Sequence, residues 1–72
     1  MNIKTYPYLV MNSSVTIEAI IRHYNTLDLP KNVLALLIEE FNRLNPDATP
    51  PRLGQRLDIP VLKLFWKRHD KA

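Results

Sequence analysis

Apolar residues recur at Ile17, Ile20, Ile21 and Tyr24, the i, i+3, i+4, i+7 spacing that turns one face of an α-helix toward a core. Glu18, Arg22 and His23 fall on the other faces. Asn12-Ser13-Ser14 ahead of them supplies turn formers and a candidate N-cap, which predicts a helix starting near Val15. Leu34, Leu37, Ile38, Phe41 and Leu44 repeat the spacing, and Val33 and Leu36 widen the stripe. Pro30 suits the first turn of this second helix because no amide donor is needed there, and Asp28 is its candidate cap. Asn45 stands before Pro46, which disfavours helical geometry and ends the helix.

The flanking segments carry a different period. Ile3 to Met11, with Tyr6, Tyr8 and Val10, reads as an extended edge strand that tolerates Pro7. Arg56 to Val61 alternates polar and apolar residues as a half-buried strand does. Between the second helix and this strand lies a loop with Pro50, Pro51 and the chain's one glycine, Gly54, which is expected at positive φ. The order is strand, helix, helix, strand. Two strands bury too little alone, so the pattern predicts an α+β fold: an antiparallel pair with both helices on one face. Ile17, Ile20, Ile21, Leu37, Ile38 and Phe41 are the expected core.

A chain of 72 residues is one small domain and leaves no room for separate substrate and cofactor lobes. Its 46% hydrophobic and 24% charged residues are an ordinary globular balance. No cysteine is present, so disulfides, thiol chemistry and cysteine-based zinc sites are excluded. His23 and His69 are far apart in the sequence, so neither a metal nor a cofactor is expected. Met1 to Pro7 lacks the pattern of a secretory signal, and no apolar run is long enough to span a membrane. The expectation is a soluble chain that stays where it is made. Through residue 60 the charges balance, and the net +3 comes from Lys63, Lys67, Arg68 and Lys71 against Asp70. The reading is thus a domain over residues 1–61 with a basic, aromatic tail over 62–72.

Three segments resemble the LysM family, a βααβ module. Thr16-Ile17-Glu18-Ala19-Ile20-Ile21-Arg22-His23-Tyr24-Asn25 is similar to its first helix, and Leu44-Asn45-Pro46 to the end of its second. Leu53-Gly54-Gln55-Arg56-Leu57-Asp58-Ile59-Pro60 resembles its closing strand and is the most specific of the three. The family's Gly-Asp before the first-helix Thr is replaced by Ser14-Val15, and the second helix is longer than is usual. The resemblance implies a shallow groove for N-acetylglucosamine-containing glycans of peptidoglycan. Asn12, Ser13, Ser14, Val15 and Thr16 would form one side, and Asn45, Pro46, Asp47, Ala48 and Leu53 the other. Yet Ser14 and Asn12 also serve as helix-capping residues, and Asn45-Pro46 as a helix stop, whether or not a sugar binds.

Catalysis finds no support. Glu39 and Glu40 are adjacent, hence about 100° apart on a helix, and cannot flank one bond as paired carboxylates do. His23 has no nucleophile at a telling spacing. The tail admits two readings: Val61, Leu62, Leu64, Phe65 and Trp66 close a small core, or Leu64, Phe65 and Trp66 anchor a partner with Lys67 and Arg68 at the rim. Lys67, Arg68 and Lys71 would give nucleic acid only non-specific contact. Free-standing LysM-like proteins resemble bacteriophage tail and baseplate components. The resemblance therefore implies a non-enzymatic structural subunit, present in several copies among other virion proteins and assembled in the host cytoplasm. A peptidoglycan-binding module is the alternative.

Overall fold

The computed structural model describes residues 2–48 and 50–70. Met1, Thr49, Lys71 and Ala72 lie outside it, and with them parts of the expected second loop and basic tail. The elements run β1 (Ile3–Leu9), α1 (Ile17–Tyr24), α2 (Lys31–Leu44), β2 (Arg56–Leu62) and a 3-10 helix (Lys63–Arg68). The two strands pair antiparallel, with Tyr6 opposite Ile59 and Tyr8 opposite Leu57. The fold is α+β with βααβ order, as the periodicity predicts.

Helix starts differ from expectation. Asn12 does not cap α1: its Oδ1 accepts from the Ser14 amide at 2.9 Å and the Ser14 hydroxyl at 2.7 Å, closing a turn of its own. Thr16 takes the cap instead, accepting from the Ala19 amide at 3.2 Å, so α1 begins at Ile17 rather than near Val15. Pro30 is itself the N-cap residue of α2, its carbonyl accepting from the Leu34 amide at 2.9 Å. Asp28 therefore lies ahead of the cap and makes no capping bond. Gly54 is at φ +82°, where other residues are strained. This lets its amide reach the Val10 carbonyl at 2.8 Å while Val10 donates to the Gln55 carbonyl at 2.9 Å.

Ile20, Ile21, Leu37 and Phe41 are buried against Leu57, Ile59 and Val61, and Val10, Leu29, Leu34 and Ala48 complete the core. Ile17 and Ile38, expected in the same cluster, are partly buried at its margin. Leu62, the first residue of the expected tail, is the last of β2. The 3-10 helix behind it folds back, with Phe65 and Trp66 packed on the core.

Both strand prolines sit where the ladder loses nothing. Tyr8–Leu57 and Tyr6–Ile59 turn their backbone groups toward each other, so Pro7 on β1 and Pro60 on β2 face outward. The outward edge of β2 is then covered by two buried asparagines at the helix C-caps. Asn45 donates to the Asp58 carbonyl at 2.8 Å and accepts from the Asp58 amide at 2.9 Å. Asn25 donates to the Pro60 carbonyl at 3.2 Å and accepts from the Leu62 amide at 2.9 Å. A side-chain amide presents the same donor and acceptor as a peptide group, so these two residues stand in for a third strand. On β1 the Pro7 carbonyl accepts from the Tyr24 hydroxyl at 3.1 Å.

Candidate functional site

Four of the residues expected to hold a glycan have side chains engaged in holding the fold. Asn12 and Ser14 bond each other, and Thr16 caps α1. Asn45 is buried, with its amide shared between β2 and the Phe41 carbonyl at 3.0 Å. In the second loop the side chain of Gln55, a residue outside the expected set, accepts from the Arg52 amide at 2.9 Å and donates to the Asp47 carbonyl at 3.3 Å. It staples the loop from within. Ser13, Pro46, Asp47 and Leu53 remain exposed, while Ala48 is buried and Val15 half-buried.

The two loops do not frame one hollow among those described. Pro46, Asp47, Pro50 and Arg52 line an open depression built from the second loop alone. Thr16 borders a separate one with Glu18, Ala19, Arg22, His23 and Leu27. The strand ends join through Val10, Gly54 and Gln55, and this junction leaves Met11 74% and Leu53 67% exposed.

The tail residues split into two groups. Trp66 donates its indole N–H to the Val61 carbonyl at 2.8 Å, and Lys4 Nζ lies 4.9 Å from its ring centre. The Arg68 guanidinium lies 5.2 Å from the Phe65 ring and donates to the Tyr24 carbonyl at 3.1 Å and to the Asn25 carbonyl. That places a cation at the negative end of α1. Phe65, Trp66 and Arg68, which one of the two readings of the tail turns toward a partner, are thus engaged in closing the chain on itself. Leu64 is 83% exposed, and Lys67 is exposed beside it.

A cluster that no motif signals fastens the tail to β1. Tyr6 donates its hydroxyl to Asp70 at 2.5 Å, and Lys4 Nζ lies 3.0 Å from the other carboxylate oxygen. Desolvation and the Asp70 carboxylate push the Tyr6 hydroxyl up to about 12. The bonds from Tyr6 and then Lys4 hold Asp70 below its ordinary value. The His69 ring stacks on Tyr24 at 4.9 Å between centres and 11° between planes. Its Nε2 is 2.9 Å from the Tyr24 carbonyl, so that nitrogen carries the proton. Lys4 and Asp70 are opposite charges at the two ends of the sequence, and only the antiparallel fold-back makes them neighbours.

Among the described residues no Ser, Thr or His side chain is hydrogen-bonded to a carboxylate; the one hydroxyl that is belongs to Tyr6. Glu40 is paired with Arg43, whose hydrogen bond lowers its carboxyl below the usual range. Among the described residues no cluster of three metal-ligating side chains occurs, and no helix is long and apolar enough to cross a membrane. Compared with family models, with curated proteins and with solved structures, the chain matches none.

Proposed function

We propose that this chain is a non-enzymatic assembly subunit with a LysM-like fold, acting through protein contacts within a bacteriophage tail or baseplate. One observation carries the reading. Asn12 Oδ1, the Ser14 hydroxyl, Thr16 Oγ1 and the Asn45 side-chain amide, all of which a sugar would need, are already bonded inside the fold, while Met11, Leu27, Leu53 and Leu64 stand out into solvent. Exposed apolar side chains with polar neighbours are the raw material of protein interfaces. In the tail Arg68 is engaged by backbone carbonyls, so Lys63 and Lys67 are the exposed cations without a carboxylate partner among the described residues, enough for non-specific contact with nucleic acid and no more.

The test has two arms. Mass spectrometry of purified particles should find the chain as a stoichiometric component, together with neighbours to which it cross-links. Calorimetric titration with chitin oligomers should show no saturation below about 100 μM, a limit equivalent to about 5 kcal/mol. Saturable binding under that limit would make the chain a glycan-binding module instead.

A further inference from the structure

We propose that a second copy of this chain docks on the end of the molecule where the 3-10 helix leaves β2, the two copies being related by a twofold axis. The proposal rests on the assembly reading and names a partner for it. Two complementary features lie side by side at this end. The first is a hollow lined by Ile3, Leu36, Glu39, Glu40 and Arg43. Ile3 is half-buried and Leu36 is 48% exposed, giving the hollow an apolar floor. Glu40 is occupied by Arg43, whereas Glu39 is exposed and has no ion-pair partner among the described residues.

The second feature is a projection. A 3-10 helix has three residues per turn, so Leu64 and Lys67 share one side of it. Leu64 is 83% exposed, and Lys63 and Lys67 beside it are exposed, without a carboxylate partner among the described residues. Phe65 and Trp66 hold the inner side against the core, so the projecting side chains are carried on an anchored element. Ile3 pairs with Leu62 in the sheet, and the Lys63 amide donates to the Asn2 carbonyl at 3.2 Å. The projection therefore starts at the border of the hollow.

An apolar, basic projection adjoining an apolar, acidic hollow is self-complementary about a twofold. Each copy's Leu64 meets the other's Ile3 and Leu36, and each copy's Lys67 faces the other's Glu39, with Lys63 at the margin of the contact. Such a contact closes on itself and stops at two copies, as isologous interfaces do. Charges at its rim set the orientation, and the leucines supply the apolar contact.

Sedimentation equilibrium of the full chain, from about 10 to about 500 μM, reads the pairing directly. The chain should be dimeric in the upper part of this range. Leu64→Glu and, separately, Glu39→Lys should each weaken the dimer by about tenfold or more, with circular dichroism unchanged because both positions are exposed. Outside the Glu40–Arg43 pair, Glu39→Lys leaves only basic charges in the patch, and the double variant Lys63→Glu, Lys67→Glu leaves only acidic ones. Each should be monomeric alone, and an equimolar mixture should form a heterodimer. A chain that stays monomeric throughout overturns the pairing, as does a dimer indifferent to Leu64→Glu. A monomer that is nevertheless a particle component would leave the assembly reading standing. A dimer that saturates with chitin oligomers would instead leave the pairing standing and remove that reading.

Discussion

Asn25 and Asn45 hold equivalent places at the C-caps of α1 and α2, and each reaches with one side chain to the same strand edge. Each amide nitrogen also donates to the carbonyl four residues back, Ile21 at 2.9 Å and Phe41 at 3.0 Å. Each thereby ends its helix and fastens that end to β2. The helix-to-sheet geometry is set by these two polar ties together with the apolar core between them.

Replacing either asparagine leaves buried backbone groups without partners. Asn25→Ala and Asn45→Ala should each lower the unfolding free energy by about 2–4 kcal/mol, read from urea titrations. Asn→Asp at either position keeps the shape and the acceptor, but it turns the donor into an oxygen facing two carbonyls. It should be no more stable than the alanine variant at neutral pH. A near-neutral Asn25→Asp would show that the ties to Ile21 and Pro60 contribute little.

The clasp of the tail on β1 responds to pH at both extremes. Asp70 has a lowered pKa in the folded chain, so its contribution is present above the ordinary carboxylate range and is lost as pH falls through the folded value. Tyr6 has a raised pKa, so its contribution is present below the ordinary tyrosine value near 10 and is lost as pH rises toward about 12. In Tyr6→Phe the Asp70 carboxyl should titrate at higher pH than in the native chain, though still under the influence of Lys4. NMR titration of the Asp70 side chain checks this, and an unmoved titration would mean that the Tyr6 hydroxyl does not hold it.

Trp66 is half-buried, bonded to Val61 and covered by Lys4, so it supports the fold whatever else binds. Trp66→Ala should cost about 2 kcal/mol, less than a fully enclosed aromatic, and Trp66→Ala with Phe65→Ala more. Thermal unfolding reads the loss. If the double variant melted like the native chain, these aromatics would be spare to the core, and the partner-facing reading of Phe65 and Trp66 would return.

The fold was legible because its elements obey single periods. The helical spacing through Leu34, Leu37 and Phe41 and the alternation through Leu57, Ile59 and Val61 identify both elements and their inward faces. Helix starts were less legible, since Asn12, Ser14 and Thr16 all suit a cap for α1 chemically and only the path of the chain selects Thr16, as it selects Pro30 over Asp28 for α2. Asn45 reads as a helix stop, but its grip on Asp58 depends on a strand that local pattern does not place beside it. The clasp of Lys4, Tyr6 and Asp70 was invisible for the same reason: residues at opposite ends of a chain have no shared spacing to notice. Of the expected glycan groove the sequence revealed the parts, while their prior engagement in the fold appears only in three dimensions.

The sealed outer edge of β2 has a consequence for crowding. A two-stranded sheet packed among many copies of itself is a template for strand-by-strand growth. Here one border is occupied by the asparagine amides, and the other is interrupted at Pro7, which has no proton to offer an incoming strand. Strand addition is thus obstructed at points on both borders, which favours contacts through side chains between copies held close together; such contacts fix an orientation and can be undone one at a time.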